Sequence, residues 1–165
     1  MRKSNHYCFL LLTILVIGVG RNSSFAQTTA LPIEKIDSSM LAQPKPIMIL
    51  LTTDWCKYCQ IQKAQLQKNR VFQNKHSDFY YVEFNAETNK TVNFHGNVYN
   101  FIPSGTTSGI HELAIALNGG DEQLSFPTWI VLDQEYQVLF KNNGVLSEKQ
   151  LNEVLNTLEI KKEPN

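Results

Sequence analysis

Two cysteines three residues apart, Cys56 and Cys59, are the residues of this sequence best suited to carry chemistry. Lys57 and Tyr58 lie between them, so the pair forms a Cys-x-x-Cys motif. Where such a motif opens a helix, free N–H groups and the helix dipole lower the pKa of the first thiol below about 8.5. A thiolate attacks a disulfide, and the second thiol resolves the mixed disulfide. The spacing therefore predicts thiol–disulfide exchange, with Cys56 as nucleophile and Cys59 as resolving thiol.

Two other interpretations of the pair involve no redox chemistry. A purely structural disulfide at this spacing closes a loop too short to remove much entropy from the unfolded chain. Half of a zinc site needs two further ligands, and beyond residue 26 the sequence has no other cysteine and only His76, His95 and His111. We therefore predict no metal site and expect His95 and His111 to be solvated or hydrogen-bonded.

The motif lies between two predicted elements that would position it. Residues 47–53 form a short apolar run rich in β-branched side chains, which is typical of a buried strand. From Cys59 to about Asn69 the residues are strong helix formers without Gly or Pro. Cys56 is therefore expected at the junction of a strand and a helix N-terminus.

The rest of the chain has the patterns of an α/β fold. The other predicted elements are a helix at 33–41, a strand at 79–84, a helix at about 109–117, strands at 128–132 and 137–141, and a final helix after a capping box at Ser147 and Gln150. Residues 85–107 are predicted only to hold a loop or a small hairpin around residues 94–99. This order of elements predicts a mixed central sheet with helices on both faces.

Composition excludes several classes of protein. The 165 residues carry 15 Lys and Arg against 15 Asp and Glu, so no basic surface for nucleic acid is expected. Three cysteines are too few for a scaffold held together by disulfides. A hydrophobic content of 42% and this length suit one domain.

The first residues have the pattern of a secretory signal peptide. Arg2 and Lys3 precede an apolar run at residues 9–19, and small residues lead to a cleavage site after Ala26. The run is shorter than the about 20 apolar residues that a membrane span needs. We therefore expect a signal peptide at 1–26, one domain at 27–165 without a membrane span, and a periplasmic or secreted protein. Loss of three basic residues would change its net charge from 0 to −3.

Three segments together resemble the thioredoxin superfamily. Trp55 and the two cysteines match the family's W-C-x-x-C active site. Residues 126–128 (Phe-Pro-Thr) are similar to its cis-proline loop, and residues 143–147 to its turn into the last helix. The resemblance spans residues 46–158 and extends most closely to bacterial periplasmic thioredoxin-like proteins.

The resemblance implies a thioredoxin-like three-layer sandwich and assigns roles to residues. The Cys56–Cys59 disulfide would be the redox centre, with no other cofactor, and Trp55 would pack beside it and shield it. Phe126, Pro127 and Thr128 would bind substrate, the residue before the proline offering its backbone to an extended chain.

One departure from the family pattern concerns a buried acid. Six residues before the nucleophilic cysteine the family has an Asp, whereas this sequence has Leu50; the neighbouring strand has Glu83 in place of a Lys. We predict that Glu83 is a buried proton acceptor for Cys59, with a pKa raised by desolvation. The alternative is a glutamate at the sheet edge that faces solvent.

A second departure is an insertion near residues 87–110. Its apolar residues Phe94, Tyr99, Phe101 and Ile102 would form a lid or substrate platform, or else only cover the core.

The sequence thus predicts a thiol–disulfide oxidoreductase of the cell envelope that acts on protein disulfides. Thr128 and the general resemblance favour a reductase supplied by an upstream thiol electron donor. The alternatives are a disulfide oxidase or isomerase, and a non-catalytic thioredoxin-like module that binds a metal or a partner.

Overall fold

The central sheet has four strands, and two small hairpins lie outside it. The structure, a computed structural model, describes residues 29–160; the predicted signal peptide lies outside them. In chain order the elements are a 3₁₀ turn (Ile33–Lys35), α1 (Ile36–Ala42), β1 (Ile47–Thr52), α2 (Lys57–Lys68), α3 (Arg70–Asn74), β2 (Tyr80–Asn85), β3 (Val92–Phe94), β4 (Asn97–Tyr99), β5 (Phe101–Pro103), β6 (Gly109–His111), α4 (Glu112–Leu117), β7 (Thr128–Leu132), β8 (Val138–Asn143) and α5 (Glu148–Ile160).

The sheet is mixed, as predicted. Its strand order is β2-β1-β7-β8; β1 and β2 are parallel, whereas β7 is antiparallel to both β1 and β8. Every residue of the two central strands β1 and β7 is buried. These strands are continuous apolar runs because both of their faces are covered.

Helices cover both faces of the sheet and complete three layers. Successive strand residues point to opposite faces, so Ile47, Ile49 and Leu51 join one core cluster and Met48 and Leu50 the other. The first cluster includes residues of α1, β3 and α4, and the second includes residues of α2, α3 and α5. The predicted α/β sandwich is confirmed.

The last helix begins where the sequence predicts. The Ser147 N–H donates to the Gln150 side-chain oxygen at 3.0 Å, and the Gln150 N–H lies 3.4 Å from the Ser147 hydroxyl. This reciprocal pair is a capping box. The apolar stripe of α5 packs Leu151, Leu155 and Leu158 into the core.

The helix predicted over 109–117 is wrong at its start. Residues Gly109–His111 form strand β6, and α4 begins only at Glu112. His111 caps the helix, since its Nδ1 accepts the Leu113 N–H at 3.1 Å. The sequence also did not predict the short helix α3 or the strand β5.

The segment predicted as an insertion holds two hairpins. Strands β3 and β4 form the first, around the turn at His95 and Gly96, as the pattern of residues 94–99 indicated. Strands β5 and β6 form the second, with residues 104–108 as its loop. Across residues 29–160, no helix combines the length and the apolar character that a membrane crossing requires.

Candidate active site

The cysteine pair lies where β1 leads into α2. Cys56 is the N-cap residue of the helix, and its sulfur accepts the Cys59 N–H at 3.1 Å. The two residues form a disulfide, with their Cα atoms 5.3 Å apart. Cys56 is 4% exposed and Cys59 1% exposed. The predicted position at the strand–helix junction is confirmed, and the second cysteine is the less accessible one.

The proline loop lies at the same edge of the sheet. The Phe126–Pro127 peptide bond is cis, and Thr128 pairs with Leu51 of β1. The Pro127 carbonyl accepts the Gly144 N–H at 2.7 Å, and the buried Thr128 hydroxyl donates to the Ser125 carbonyl at 2.7 Å. The strand pairing places the loop beside the end of β1, from which the cysteine loop leaves, and the bond from Gly144 attaches it to the end of β8.

Trp55 connects the cysteine loop with two other segments. Its ring stands edge-on to Phe126, with the ring centroids 6.2 Å apart. Its Nε1–H lies 3.0 Å from each carboxylate oxygen of Glu87, which follows β2. The Trp55 side chain is 67% exposed and therefore presents most of its ring to solvent beside the pair.

Glu87 was not identified from the sequence. Parallel strands end at the same edge of a sheet, so residues that follow β2 lie near residues that follow β1. Asn85 at the end of β2 also donates to the Asp54 carboxylate at 2.9 Å and accepts the Glu87 N–H at 2.9 Å. The parallel pairing of β1 and β2 is the feature that could have indicated contact between the loops that follow these two strands.

Comparison with known protein families identifies the domain that contains this site. Residues 35–159 match the family model of the thioredoxin-like domain. The chain belongs to this family. Among curated protein sequences, none matches the chain.

Solved structures agree on the thioredoxin-like fold. Chloroplastic thioredoxin z is 14% identical with a TM-score of 0.51, over 80% of this chain and 96% of that one. A redox protein from Chlamydomonas reinhardtii is 15% identical with a TM-score of 0.52, over 80% of this chain and 36% of that one. The thioredoxin-like fold and the Cys-x-x-Cys pair together support a thiol–disulfide oxidoreductase.

Glu83, the predicted proton acceptor, forms an ion pair. Glu83 neighbours Leu50 in the register of β1 and β2, as predicted. Its carboxylate lies 2.6 Å from Lys63 Nζ on α2, its side chain is 30% exposed, and it accepts the Tyr81 hydroxyl at 3.0 Å. The predicted burial of Glu83 is therefore wrong, because β2 is an edge strand that leaves the carboxylate within reach of solvent and of Lys63.

The surroundings of Tyr81 strongly shift the pKa of its phenol. Burial, followed by the charge of Glu83 and the hydrogen bond to it, raises the pKa of Tyr81 far above its ordinary range. Its phenol therefore stays protonated and acts as a hydrogen-bond donor to Glu83. Neither Lys63 nor Tyr81 was identified from the sequence, although Lys63 lies one helical turn beyond Cys59.

One buried hydroxyl near the cysteines is unusual. Thr53, three residues before Cys56, is 5% exposed, and its Oγ1 has no hydrogen-bond partner among residues 29–160. Buried polar atoms are nearly always paired, because an unpaired one keeps its full desolvation cost. The nearby buried Thr128 is paired, so the two hydroxyls at this edge of the sheet differ.

The histidines make ordinary hydrogen bonds and ring contacts. His111 is buried, with Nδ1 at the start of α4 and Nε2 at 2.9 Å from the Lys90 carbonyl oxygen. His95 stacks on Tyr136, with ring centroids 4.1 Å apart. In the described part of the chain, no group of three or more His, Cys, Asp or Glu side chains could hold a metal ion.

Proposed function

We propose that this protein is a protein-disulfide reductase of the cell envelope. The observation that carries the proposal is the Cys56–Cys59 disulfide at the N-terminus of α2, preceded by exposed Trp55, whose ring contacts Phe126 of the proline loop. Helix N-terminal N–H groups stabilise a thiolate at this position once the disulfide is reduced.

The proposed reaction transfers two electrons from the dithiol to the substrate. The Cys56 thiolate attacks one sulfur of the substrate disulfide, whose S–S bond breaks, and the leaving sulfur takes up a proton. Cys59 then loses its proton and attacks the Cys56 sulfur. That step releases the second substrate thiol and restores the Cys56–Cys59 disulfide.

Substrate binding is assigned to the surface around the pair. Phe126, Pro127 and Thr128 would receive an extended segment of the substrate, with Phe126 offering backbone hydrogen bonds. Tyr58 is 67% exposed and Ile61 49% exposed, and both lie on α2 near the cysteines. With Trp55 they provide apolar surface for side chains that flank a substrate cysteine.

Glu83 remains our proposed proton acceptor for Cys59, now with Lys63 as its partner. Lys63 lies one turn beyond Cys59 on α2 and holds the Glu83 carboxylate on the face of the sheet that α2 covers. A Glu83→Gln variant should shift the pH profile of the exchange rate, since its side chain cannot accept the thiol proton. An unchanged profile would remove Glu83 from the mechanism.

The direction of electron flow is tested by one measurement, the reduction potential of the Cys56–Cys59 pair. A value near about −270 mV supports a reductase, whereas a value near about −120 mV favours the alternative of a disulfide oxidase. The isomerase alternative would show as reshuffling of scrambled disulfides without net reduction. Insulin reduction by wild-type protein and its loss in Cys56→Ser test the exchange activity itself.

A non-catalytic module that binds a metal or a partner makes a different prediction. Stoichiometric zinc or copper in purified protein, without insulin reduction, would favour that module. Retained exchange in Cys56→Ser would contradict the mechanism in which Cys56 is the nucleophile.

Location and partners complete the proposal. The pattern of residues 1–26 supports export, so the protein should be found in the envelope or medium, and deletion of 1–26 should abolish that location. Protein disulfides are the proposed substrates, and an upstream thiol donor would reduce Cys56–Cys59 again. A Cys59→Ser variant should accumulate the mixed disulfide between Cys56 and a substrate, because it lacks the thiol that resolves it.

A further inference from the structure

A polar groove opens between the cysteine loop and the second hairpin. Its volume is about 500 Å³. One wall consists of Asp54 and residues that end or follow β2, and the other wall belongs to β5 and the loop 104–108.

The groove is negatively charged. Asp54 and Glu87 line it, and no lining residue is basic. Neutral groups hold both carboxylates, the Asn85 amide on Asp54 and the Trp55 indole on Glu87. Within residues 29–160 neither carboxylate forms an ion pair. Both negative charges are therefore fixed in place and available to a ligand.

The groove lies next to the site of exchange. Asp54 lies two residues before Cys56, and Glu87 bonds the indole of Trp55, the residue next to Cys56. Trp55 in turn contacts Phe126 of the proline loop. An extended chain advances about 3.3 Å per residue, so substrate residues a few positions from the reacting cysteine reach the groove.

We propose that this groove binds the substrate polypeptide beside its reactive cysteine and selects a Lys or Arg side chain there. The inference rests on the proposed function and adds a substrate class to it. Asp54 and Glu87 attract the cation, while Thr106, Thr107 and the Asn85 and Asn89 amides border the peptide with hydrogen-bonding groups. The second hairpin is the wall that makes this selection possible.

The test uses short peptides with a single cysteine in a mixed disulfide with thionitrobenzoate. The peptides differ only in a Lys, Gln or Glu placed three residues before or after the cysteine. Fully reduced protein cleaves the mixed disulfide, and release of thionitrobenzoate gives the second-order rate constant. At low ionic strength the Lys peptide should react about 3- to 10-fold faster than the Glu peptide, and salt at about 1 M should bring the ratio close to one.

The decisive comparison is between two variants with the same loss of charge. Asp54→Asn with Glu87→Gln keeps both hydrogen-bond acceptors and removes both charges, so the Lys-to-Glu ratio should fall to within about twofold of one. Glu135→Gln with Glu153→Gln, exposed on the β7–β8 turn and on α5, should keep the wild-type ratio.

The outcomes separate this inference from the function on which it rests. The selection of a basic side chain by the groove is overturned if the wild-type protein cleaves the Lys and Glu peptides at nearly equal rates at low salt, or if both double variants give the same ratio of these rates. Cleavage of the Gln peptide in the same experiment would still support the reductase. No reaction with any peptide overturns both. A ratio that salt does not change also contradicts the inference, because the attraction between exposed charges must be screened.

Discussion

Two hairpins follow one another between β2 and α4, and they differ in what surrounds them. The first buries Val92 and Phe94 in the core beneath the sheet, with Tyr99 packed against the same cluster. The second leaves Ile102 41% exposed, and its Phe101 lines the groove beside the cysteines. The first hairpin therefore extends the core through β3, whereas the second does both, because Ile110 packs against the same cluster while Phe101 borders the groove. Of the two alternatives for the predicted insertion, core cover is confirmed for Phe94 and Tyr99, and the lid or substrate platform stays a prediction.

The turn of the first hairpin is attached to two other elements. Asp37 of α1 accepts the N–H groups of His95 and Gly96, at 3.0 and 3.3 Å, and the Tyr136 hydroxyl at 2.8 Å. Tyr136 lies in the turn between β7 and β8 and stacks on the His95 ring. The loop of the second hairpin is closed mainly by bonds among its own residues, such as Ser104 N–H to the Ser108 carbonyl at 2.9 Å. The difference teaches that the first hairpin is held to the fold at its turn, whereas the second joins the fold through β6, where the His111 N–H donates to the Ala86 carbonyl at 2.7 Å.

The largest expected effect is on the buried ring of the first hairpin. Phe94→Ala should lower the free energy of unfolding by about 3–5 kcal/mol, because it leaves a cavity in the core. Ile102→Ala in the second hairpin should change it by no more than about 0.5 kcal/mol. Urea unfolding of both variants measures the contrast, and equal losses would break the comparison.

The next effect concerns the carboxylate that attaches the first turn. Asp37→Ala should cost about 2 kcal/mol, since three donors lose a charged acceptor. Its counterpart in the second hairpin is Ser108→Ala, which removes only a 3.4 Å hydroxyl contact with Ser104 and should cost less than about 0.5 kcal/mol. A cost for Ser108→Ala as large as that for Asp37→Ala would show that the loop of the second hairpin stabilises the fold as much as the turn of the first.

The next prediction compares the loss of stability on replacing one glycine in each hairpin with alanine. A Cβ at Gly109 would overlap the Phe101 ring and the Ile102 carbonyl oxygen, so Gly109→Ala should open the second hairpin at a cost of about 1–3 kcal/mol. Gly96 has open space but a φ of +71°, so Gly96→Ala should cost about 1 kcal/mol. Amide hydrogen exchange should localise each change, and only Gly109→Ala should weaken the choice between Lys and Glu peptides.

The smallest effect is a loss of stability at alkaline pH. Burial, followed by the hydrogen bond and charge of Asp37, raises the pKa of Tyr136 above its ordinary value of about 10. As the pH rises, the Tyr136 phenol therefore loses its proton in the unfolded chain before it does so in the folded protein. The stabilising contribution is complete below about pH 10 and is lost as the pH rises through the folded-state pKa. Tyr136→Phe should make the alkaline decline in unfolding free energy less steep; an unchanged slope would contradict this origin.

Local patterns were sufficient for the elements that carry the cysteines. The run at 47–53 and the helix formers after Cys59 predicted β1 and α2, and Ser147 and Gln150 predicted the start of α5. Each signal lies within a few residues of the structure it specifies. The strands β5 and β6 have three residues each and one contains a proline, so their alternation is too short to be recognised.

Side chains that meet across the fold were predicted less well. The position of Glu83 beside Leu50 followed from strand pairing, but its ion pair with Lys63 depends on how α2 lies over the sheet. Glu87 reaches Trp55 from 32 residues away. Such contacts depend on strand order and helix packing, which no single segment of sequence specifies.

By itself, the sequence predicted the chemistry from two thiols one helical turn apart, after an apolar strand, while the proline loop followed from the resemblance to thioredoxins. These features are local, because propensity and spacing act between neighbours in the chain. Only the tertiary structure decided what surrounds the thiols. The parallel pairing of β1 and β2 brings Glu87 to Trp55, and the second hairpin completes a groove with Asp54. Those contacts join residues far apart in sequence, so they exist only once the whole sheet is packed.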